Sequence, residues 1–177
     1  CGSSFSKNKE WKKILKSTAA HSAVTLEDSN AFSGIDKMQK SFSKRYTRDG
    51  SEIVELTHYG YYNRYSSICS RKIELGNDGK NIAGLDKLES RKLNKFSIRF
   101  HFSPEIKISL SLDKKSVVLV IKEQGWRFLY EGDVNLNLDP SIFVSDEGKI
   151  SNTFQIVLSG STKKAQTNVL WGFKRIS

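Results

Sequence analysis

The sequence is poor in cysteine, proline and histidine, and each scarcity removes a class of protein. Two cysteines in 177 residues, Cys1 and Cys69, are too few for a disulfide-held scaffold and lie in no close-spaced metal pattern. They leave the redox compartment open. Two prolines make no linker, and with no internal repeat or low-complexity tract nothing argues for a domain boundary inside the chain. No run approaches the ~18 apolar residues of a membrane helix, so no membrane partner is expected. The opening CGSSFSKNKEWKK has no apolar core of a signal peptide. Also missing are a Gly-rich phosphate loop, a G-x-S-x-G elbow, an H-E-x-x-H helix and a paired-cysteine zinc motif. Phosphate-handling and serine-hydrolase readings drop out with them.

What remains is a chain that should fold. Hydrophobic residues at 37% and aromatics at 11% lie far from the composition of disorder, and the length suits one domain with a real core. The formal charge of +10, from 29 Lys+Arg against 19 Asp+Glu, favours anionic partners by long-range attraction. Nucleic acid, acidic lipid and acidic polysaccharide all qualify on charge. Of the basic residues 21 are Lys and 8 Arg, and lysine recognises anion geometry less well than the arginine fork. Nucleic-acid binding has only the charge behind it and is not expected.

From Ser51 onward the dominant period is two, the mark of half-buried strands. Between Lys95 and Ser103, Phe96, Ile98, Phe100 and Phe102 fall on one face and Lys95, Ser97, Arg99 and His101 on the other. Ile106 to Leu112 repeats the pattern, and Asp113-Lys114-Lys115 turns into the apolar run Val117 to Ile121. Further strands are expected around Trp126–Tyr130, Val134–Leu138, Phe154–Leu158 and Val169–Phe173, with Gly, Asp, Asn or Ser between them. Thr18 to Leu26 and Ser51 to His58 also read as extended, with Asp49-Gly50 as a hairpin signal. Helix is expected only near Trp11, Ile14 and Leu15. Short strands with regular turns mean an all-β sandwich or barrel.

Only His21, His58 and His101 can serve a site that needs imidazole. His101 falls on the polar face of a strand and reads as a rim histidine. His21 lies in STAAHSAVTLED, ahead of the acidic pair Glu27 and Asp28. His58 opens HYGYYNRY, four tyrosines, a glycine and Arg64, expected on a loop, where sites concentrate. Imidazoles and a carboxylate from neighbouring strands suit zinc, so His21, Asp28 and His58 form a candidate metal set. The aromatics at strand period, Trp126 and Trp171 among them, read as core rather than as a stacking platform.

The order of motifs resembles the heparinase II/III-like proteins along nearly the whole chain. After the opening Cys1-Gly2, STAAHSAVTLED is similar to the family's A-A-H-S-T with its acidic pair, and HYGY to its H-D-G-Y. RKIELGNDGKNIAGLDKL resembles a basic strand leading to G-x-D-x-L, and RFHFSP resembles R-F-H-x-x-P. GWRFLYEG, QIVL and VLWGFKRI resemble the terminal strands. Departures are Cys69 where the family often has His, Ser70 where a base is usual, and Tyr59 in place of the acid of H-D-G-Y.

The resemblance implies a two-sheet antiparallel β-sandwich, one domain over residues 1–177, belonging to a longer bacterial chain whose N-terminal helical toroid completes the cleft. It implies β-elimination from a uronic-acid-containing acidic polysaccharide, heparan-sulfate-like or alginate-like. The principal Tyr, His and Asn of that chemistry belong to the helical domain, so this chain alone is expected to be inactive. By motif match, His21 takes the place of the sandwich histidine, and His58 with Asp28 are candidates for a metal or supporting role; His21 and His58 are thus the catalytic candidates. Arg64 and Arg71, as forks suited to carboxylate or sulfate, and Tyr61 are the candidates for contact with acidic sugar. The compartment stays open between periplasm and cytoplasm. A non-catalytic sandwich that binds acidic glycan or another anion is the competing reading.

Overall fold

Alternation of apolar and polar residues puts one face of each strand against a partner layer, and here it builds two such layers. The computed structural model describes residues 9–32 and 40–176. A short helix α1 (Lys9–Leu15) and a 3-10 turn (Thr18–Ala20) lead into β1 (Val24–Leu26). Then follow β2 (Ser41–Arg48), β3 (Ser51–Tyr61), α2 (Tyr62–Tyr65), β4 (Ser67–Leu75) and β5 (Asn81–Ser90). The remainder is β6 (Lys95–His101), β7 (Lys107–Leu110), β8 (Val117–Ile121), β9 (Gln124–Glu131), β10 (Asn135–Val144), β11 (Ile150–Ser161) and β12 (Ala165–Arg175).

The smaller sheet runs β1-β6-β11-β10 and the larger β2-β3-β4-β5-β12-β9-β8-β7, with every strand pair antiparallel. This is the antiparallel sandwich that the period-two pattern implies. Phe96, Ile98 and Phe100 of β6, with Ile156 and Leu158 of β11, meet Leu88, Phe128, Val169 and Trp171 from the larger sheet. Phe100 is the hinge of the packing, its ring centroid 4.8 Å from Trp171, 5.3 Å from Phe128 and 5.8 Å from Phe173. An eight-stranded sheet is wider than a four-stranded one, and the overhang falls at β2 and β3. No residue of β2 is buried, and Leu56 of β3 is 42% exposed.

Three local expectations are corrected. Thr18–Leu26 is not extended throughout: only Val24–Leu26 is strand. Thr18 instead ties a tight turn to the next segment, its hydroxyl accepting from the Ala31 N–H at 2.9 Å and its own N–H donating to Asn30 Oδ1 at 2.8 Å. Asp49 (φ 51°) and Gly50 (φ 78°) do form a two-residue hairpin turn. Its first strand, however, is β2, whose exposed sequence SFSKRYTR hid it. HYGY does not open a loop, since β3 continues to Tyr61, with a register shift between His58 and Tyr61.

Gly84 and Trp171 are cross-strand partners, and the indole lies where a side chain at 84 would stand. A Cβ there would come 2.1 Å from Trp171 Cζ2. Gly84→Ala must displace the indole from Phe100, so it should lower stability by about 1–3 kcal/mol, the usual cost of overpacking. Urea denaturation checks this: the midpoint should fall with an unchanged slope.

Candidate functional site

The site is built outward from a buried charge. Arg71 on β4 and Asp86 on β5 stand directly opposite each other, so both side chains project to the same inner face. Asp86 is fully buried. It accepts Arg71 Nε–H at 2.7 Å on Oδ1 and Arg71 Nη2–H at 2.8 Å on Oδ2, and Trp171 Nε1–H at 2.8 Å on Oδ2. A bidentate pair with a third donor leaves no lone charge in the interior, which is what makes burial tolerable. The guanidinium also lies over the Phe100 and Trp171 rings, at 5.6 and 5.5 Å. Its Nη1 then reaches across the sandwich to donate to the Ser22 carbonyl at 2.6 Å. The segment carrying His21 is thereby pinned to the larger sheet.

The same segment is held from the other layer. His101 on β6 donates its backbone N–H to Ser22 Oγ, at 3.0 Å. Its ring bonds the Ala19 carbonyl through Nε2 at 3.0 Å and Ser141 Oγ through Nδ1 at 2.9 Å. A carbonyl only accepts, so Nε2 carries the proton and Nδ1 accepts from the serine hydroxyl. Burial holds the His101 pKa below its ordinary value, and the Ala19 bond opposes this. The rim histidine of the sequence is a clamp on the 3-10 turn, a role that needs both ring nitrogens and leaves no pattern in the chain.

His21 is exposed, and its Nε2 lies 2.9 Å from the Leu15 carbonyl. By the same rule Nε2 donates, and Nδ1 is the basic nitrogen. His58 has the opposite arrangement. It accepts the Gly60 N–H on Nδ1 at 3.3 Å, so the neutral ring carries its proton on Nε2. Burial, then the positive charge of Arg71, lowers its pKa. His58, Arg71, Leu56, Cys69 and Ser22 line one cavity of about 160 Å³ at the overhang, and Ser22 directly follows His21. Cys69 is the cross-strand partner of His58. Burial pushes its thiol up to about 12, so it is a neutral wall of the cavity and no nucleophile.

The other sequence candidates lie elsewhere. Asp28 and Glu27 both have positive φ (49° and 48°), forming a two-residue turn at the tip beyond β1. The Asp28 side chain is 88% exposed, 3.7 Å from Arg99 Nη2, and borders a different cavity from His58. Among the described residues no three His, Cys, Asp or Glu side chains are grouped to hold a metal ion. The expected zinc set of His21, Asp28 and His58 is corrected on that ground: the turn carries the carboxylate away from the imidazoles.

Tyr61 is fully buried, with its hydroxyl 3.1 Å from the Val24 carbonyl and 3.0 Å from that of Ser29. It anchors β1 to β3, and burial raises its pKa. Arg64 spends its Nη2 on the carbonyls of Asn30, Ala31 and Gly60 and its Nη1 on Ser29 Oγ. Both were candidates for sugar contact, and both are internal fasteners. The reason is local: Gly60 packs so tightly that a Cβ would come 2.6 Å from the Ala31 carbonyl oxygen, and the cluster of carbonyls there needs a donor fork. Arg71 keeps a place at the cavity. Three of its five N–H groups are used in the bonds above. The opening Cys1-Gly2 lies outside the described residues.

Residues 1–172 match the family model described as heparinase II/III-like, C-terminal. Comparison with curated protein sequences returns no significant match. Among solved structures the fold is similar to a heparan sulfate lyase HepC from Pedobacter heparinus, with TM-score 0.79 and 14% identity over 98% of this chain and 27% of that one. It is also similar to a structure titled Heparinase III, with TM-score 0.71 and 12% identity over 96% and 25% of the two chains. The chain thus spans about a quarter of the length of these structures.

His58 and His101 both have pKa values lowered by burial, so the unfolded chain binds more protons than the folded one once pH falls below about 6.5. Their contribution to stability is complete above that value and is lost as pH drops toward the folded pKa. His58→Gln should therefore flatten the decline of the urea midpoint between pH 7 and pH 5, with His101 supplying what slope is left. An unchanged slope would contradict the assignment of a lowered pKa to His58.

Proposed function

The chain belongs to the heparinase II/III-like, C-terminal family, and from that premise we propose that it is the sandwich part of a polysaccharide lyase acting on uronic-acid-containing glycans by β-elimination. The observation that carries the reading is that backbone groups hold two imidazoles in opposite tautomers: His21 donates Nε2–H to the Leu15 carbonyl and keeps Nδ1 as an acceptor, while His58 accepts the Gly60 N–H on Nδ1 and keeps an Nε2–H donor beside Arg71. Elimination needs both kinds of group. A base removes the C5 proton, the electron pair left behind forms the C4–C5 double bond, the C4–O bond breaks, and the departing oxygen takes a proton.

The C5 proton is acidic enough only when charge developing on the uronate carboxylate is offset. Arg71, as a cation, and His58, as a neutral donor, supply that offset in the cavity at the overhang. His21, which directly precedes the cavity-lining Ser22, then serves proton transfer. Substrate would lie over the inner face of β3, between this sandwich and a helical domain of the same protein, which brings the remaining acid and base. In this division the chain alone has no turnover. The surplus of Lys and Arg supports the reading by attracting an acidic polymer of any uronate type.

The test uses the full-length protein on heparan sulfate and on alginate, followed by the ultraviolet absorbance of unsaturated uronate. His21→Ala and His58→Ala should each lower kcat by about 10²–10⁴, the usual worth of positioned acid–base groups. His21→Ala should leave the thermal midpoint nearly unchanged, since an exposed side chain contributes little packing. Full turnover in both variants, or none by the parent protein on any uronate polymer, would favour the non-catalytic glycan-binding sandwich instead.

A further inference from the structure

On the other side of the larger sheet, β3, β4 and β5 carry a second concavity. Tyr59 follows His58, Ile68 precedes Cys69 and Glu89 follows Leu88, so strand alternation turns these three away from the core. With Tyr62, Asn63 and Arg91 they line a cavity of about 800 Å³, within the size range of small-ligand sites. The Tyr59 and Tyr62 rings meet at 63° with centroids 6.3 Å apart, and Phe42 of β2 meets Tyr59 at 77° and 6.2 Å. They make an aromatic corner rather than a stacked core pair. Phe42 is 57% and Tyr62 41% exposed, which is unusual for three large rings grouped together.

The polar groups around the corner are of the kinds that fix a sugar. Arg91 is exposed and its backbone N–H is bonded to the Ser66 carbonyl at 3.2 Å, so its chain direction is set while the guanidinium faces solvent. The Glu89 carboxylate is paired with Lys87 Nζ at 2.5 Å, which offsets part of its charge. Asn63 adds a planar amide with both donors and an acceptor. Aromatic faces take the C–H face of a pyranose, and planar polar side chains take its hydroxyls.

We propose that the Tyr59–Tyr62 corner is a second saccharide-binding site, which stacks one pyranose of a glycan chain on the tyrosines and pairs its anionic group with Arg91. Tyr59 stands where the resembled family has an acid, so the corner is a property of this chain's own residues. The acidic character of the ligand rests on the lyase reading above; the stacking rests on the aromatic corner alone. Bound there, a glycan would be held on the face opposite the His58 cavity, raising the local concentration of a long substrate.

Isothermal titration of the full-length protein tests this with two probes, a heparin-derived tetrasaccharide and neutral cellotetraose, with His21→Ala as background to suppress turnover. Tyr62→Ala should weaken the titrated binding of both probes about tenfold, given the worth of an aromatic contact plus its buried area. Tyr62→Phe should retain it, and Arg91→Ala should weaken the acidic probe alone. Isotherms identical to the parent for Tyr62→Ala and Arg91→Ala, or no binding of either probe by the parent, overturn the proposal. Tyr62-dependent binding, when the protein with His21 intact forms no unsaturated product, supports this site while removing the lyase reading.

Discussion

A carboxylate with no exposure to solvent has to be neutralised by its neighbours, and Asp86 sets that demand in the middle of the larger sheet. Arg71 and Trp171 answer it from the two adjacent strands. Because the guanidinium has more donors than the carboxylate needs, the surplus reaches the Ser22 backbone and fixes the segment after His21. Gly84 is bare because the Trp171 indole must lie beside it to aim its N–H at Asp86. One buried charge thus couples the strand register, the position of Trp171 in the core and the placement of a histidine on the rim. Replacing a single partner of such a pair costs far more than an apolar substitute for the whole would, since the remaining charge is left uncompensated.

The two imidazoles facing that arrangement differ by what binds them. His21 donates its Nε2–H to a carbonyl and keeps a lone pair on Nδ1; His58 accepts a backbone N–H on Nδ1 and keeps its proton on Nε2. Neither distinction is encoded in residue type. Both follow from which backbone groups the fold leaves unpaired at the end of α1 and at the register shift of β3. The lowered pKa of His58 is consistent with its position, half-buried and beside a cation. A neutral ring at ordinary pH is the form that the proposed donor role requires.

Much of the fold was legible because burial on one face of a sheet imposes period two directly on the sequence, as in Phe96, Ile98 and Phe100. The Asp49-Gly50 turn was legible because only such residues take its positive φ at low cost. β2 was not, since an overhanging edge strand buries nothing and shows no apolar alternation. Of the candidate residues, His58 and Arg71 line one cavity and His21 directly precedes a third lining residue, Ser22, whereas Tyr61 and Arg64 are bonded to backbone and Asp28 lies apart from the two histidines. For Tyr61 and Arg64, chemistry that looks like recognition was consumed by the backbone of residues 24–31. For Asp28, two residues of positive φ turned the carboxylate outward. Such pairings depend on contacts across more than thirty positions in the chain, which no local pattern records.

The central claim is that the Asp86–Arg71 pair positions the His21 segment, and amide hydrogen exchange in Asp86→Asn measures it most directly. With the carboxylate replaced, the guanidinium loses its counter-charge and its hold on Ser22, so the account predicts that protection falls first and most at residues 18–24. The strands β7, β8 and β10, none of which pairs with β4, β5 or β12, should keep theirs at mild denaturant concentration. A loss of protection spread evenly over both sheets, or none at residues 18–24, would contradict it, because the pair would then be holding the sandwich together without positioning the histidine.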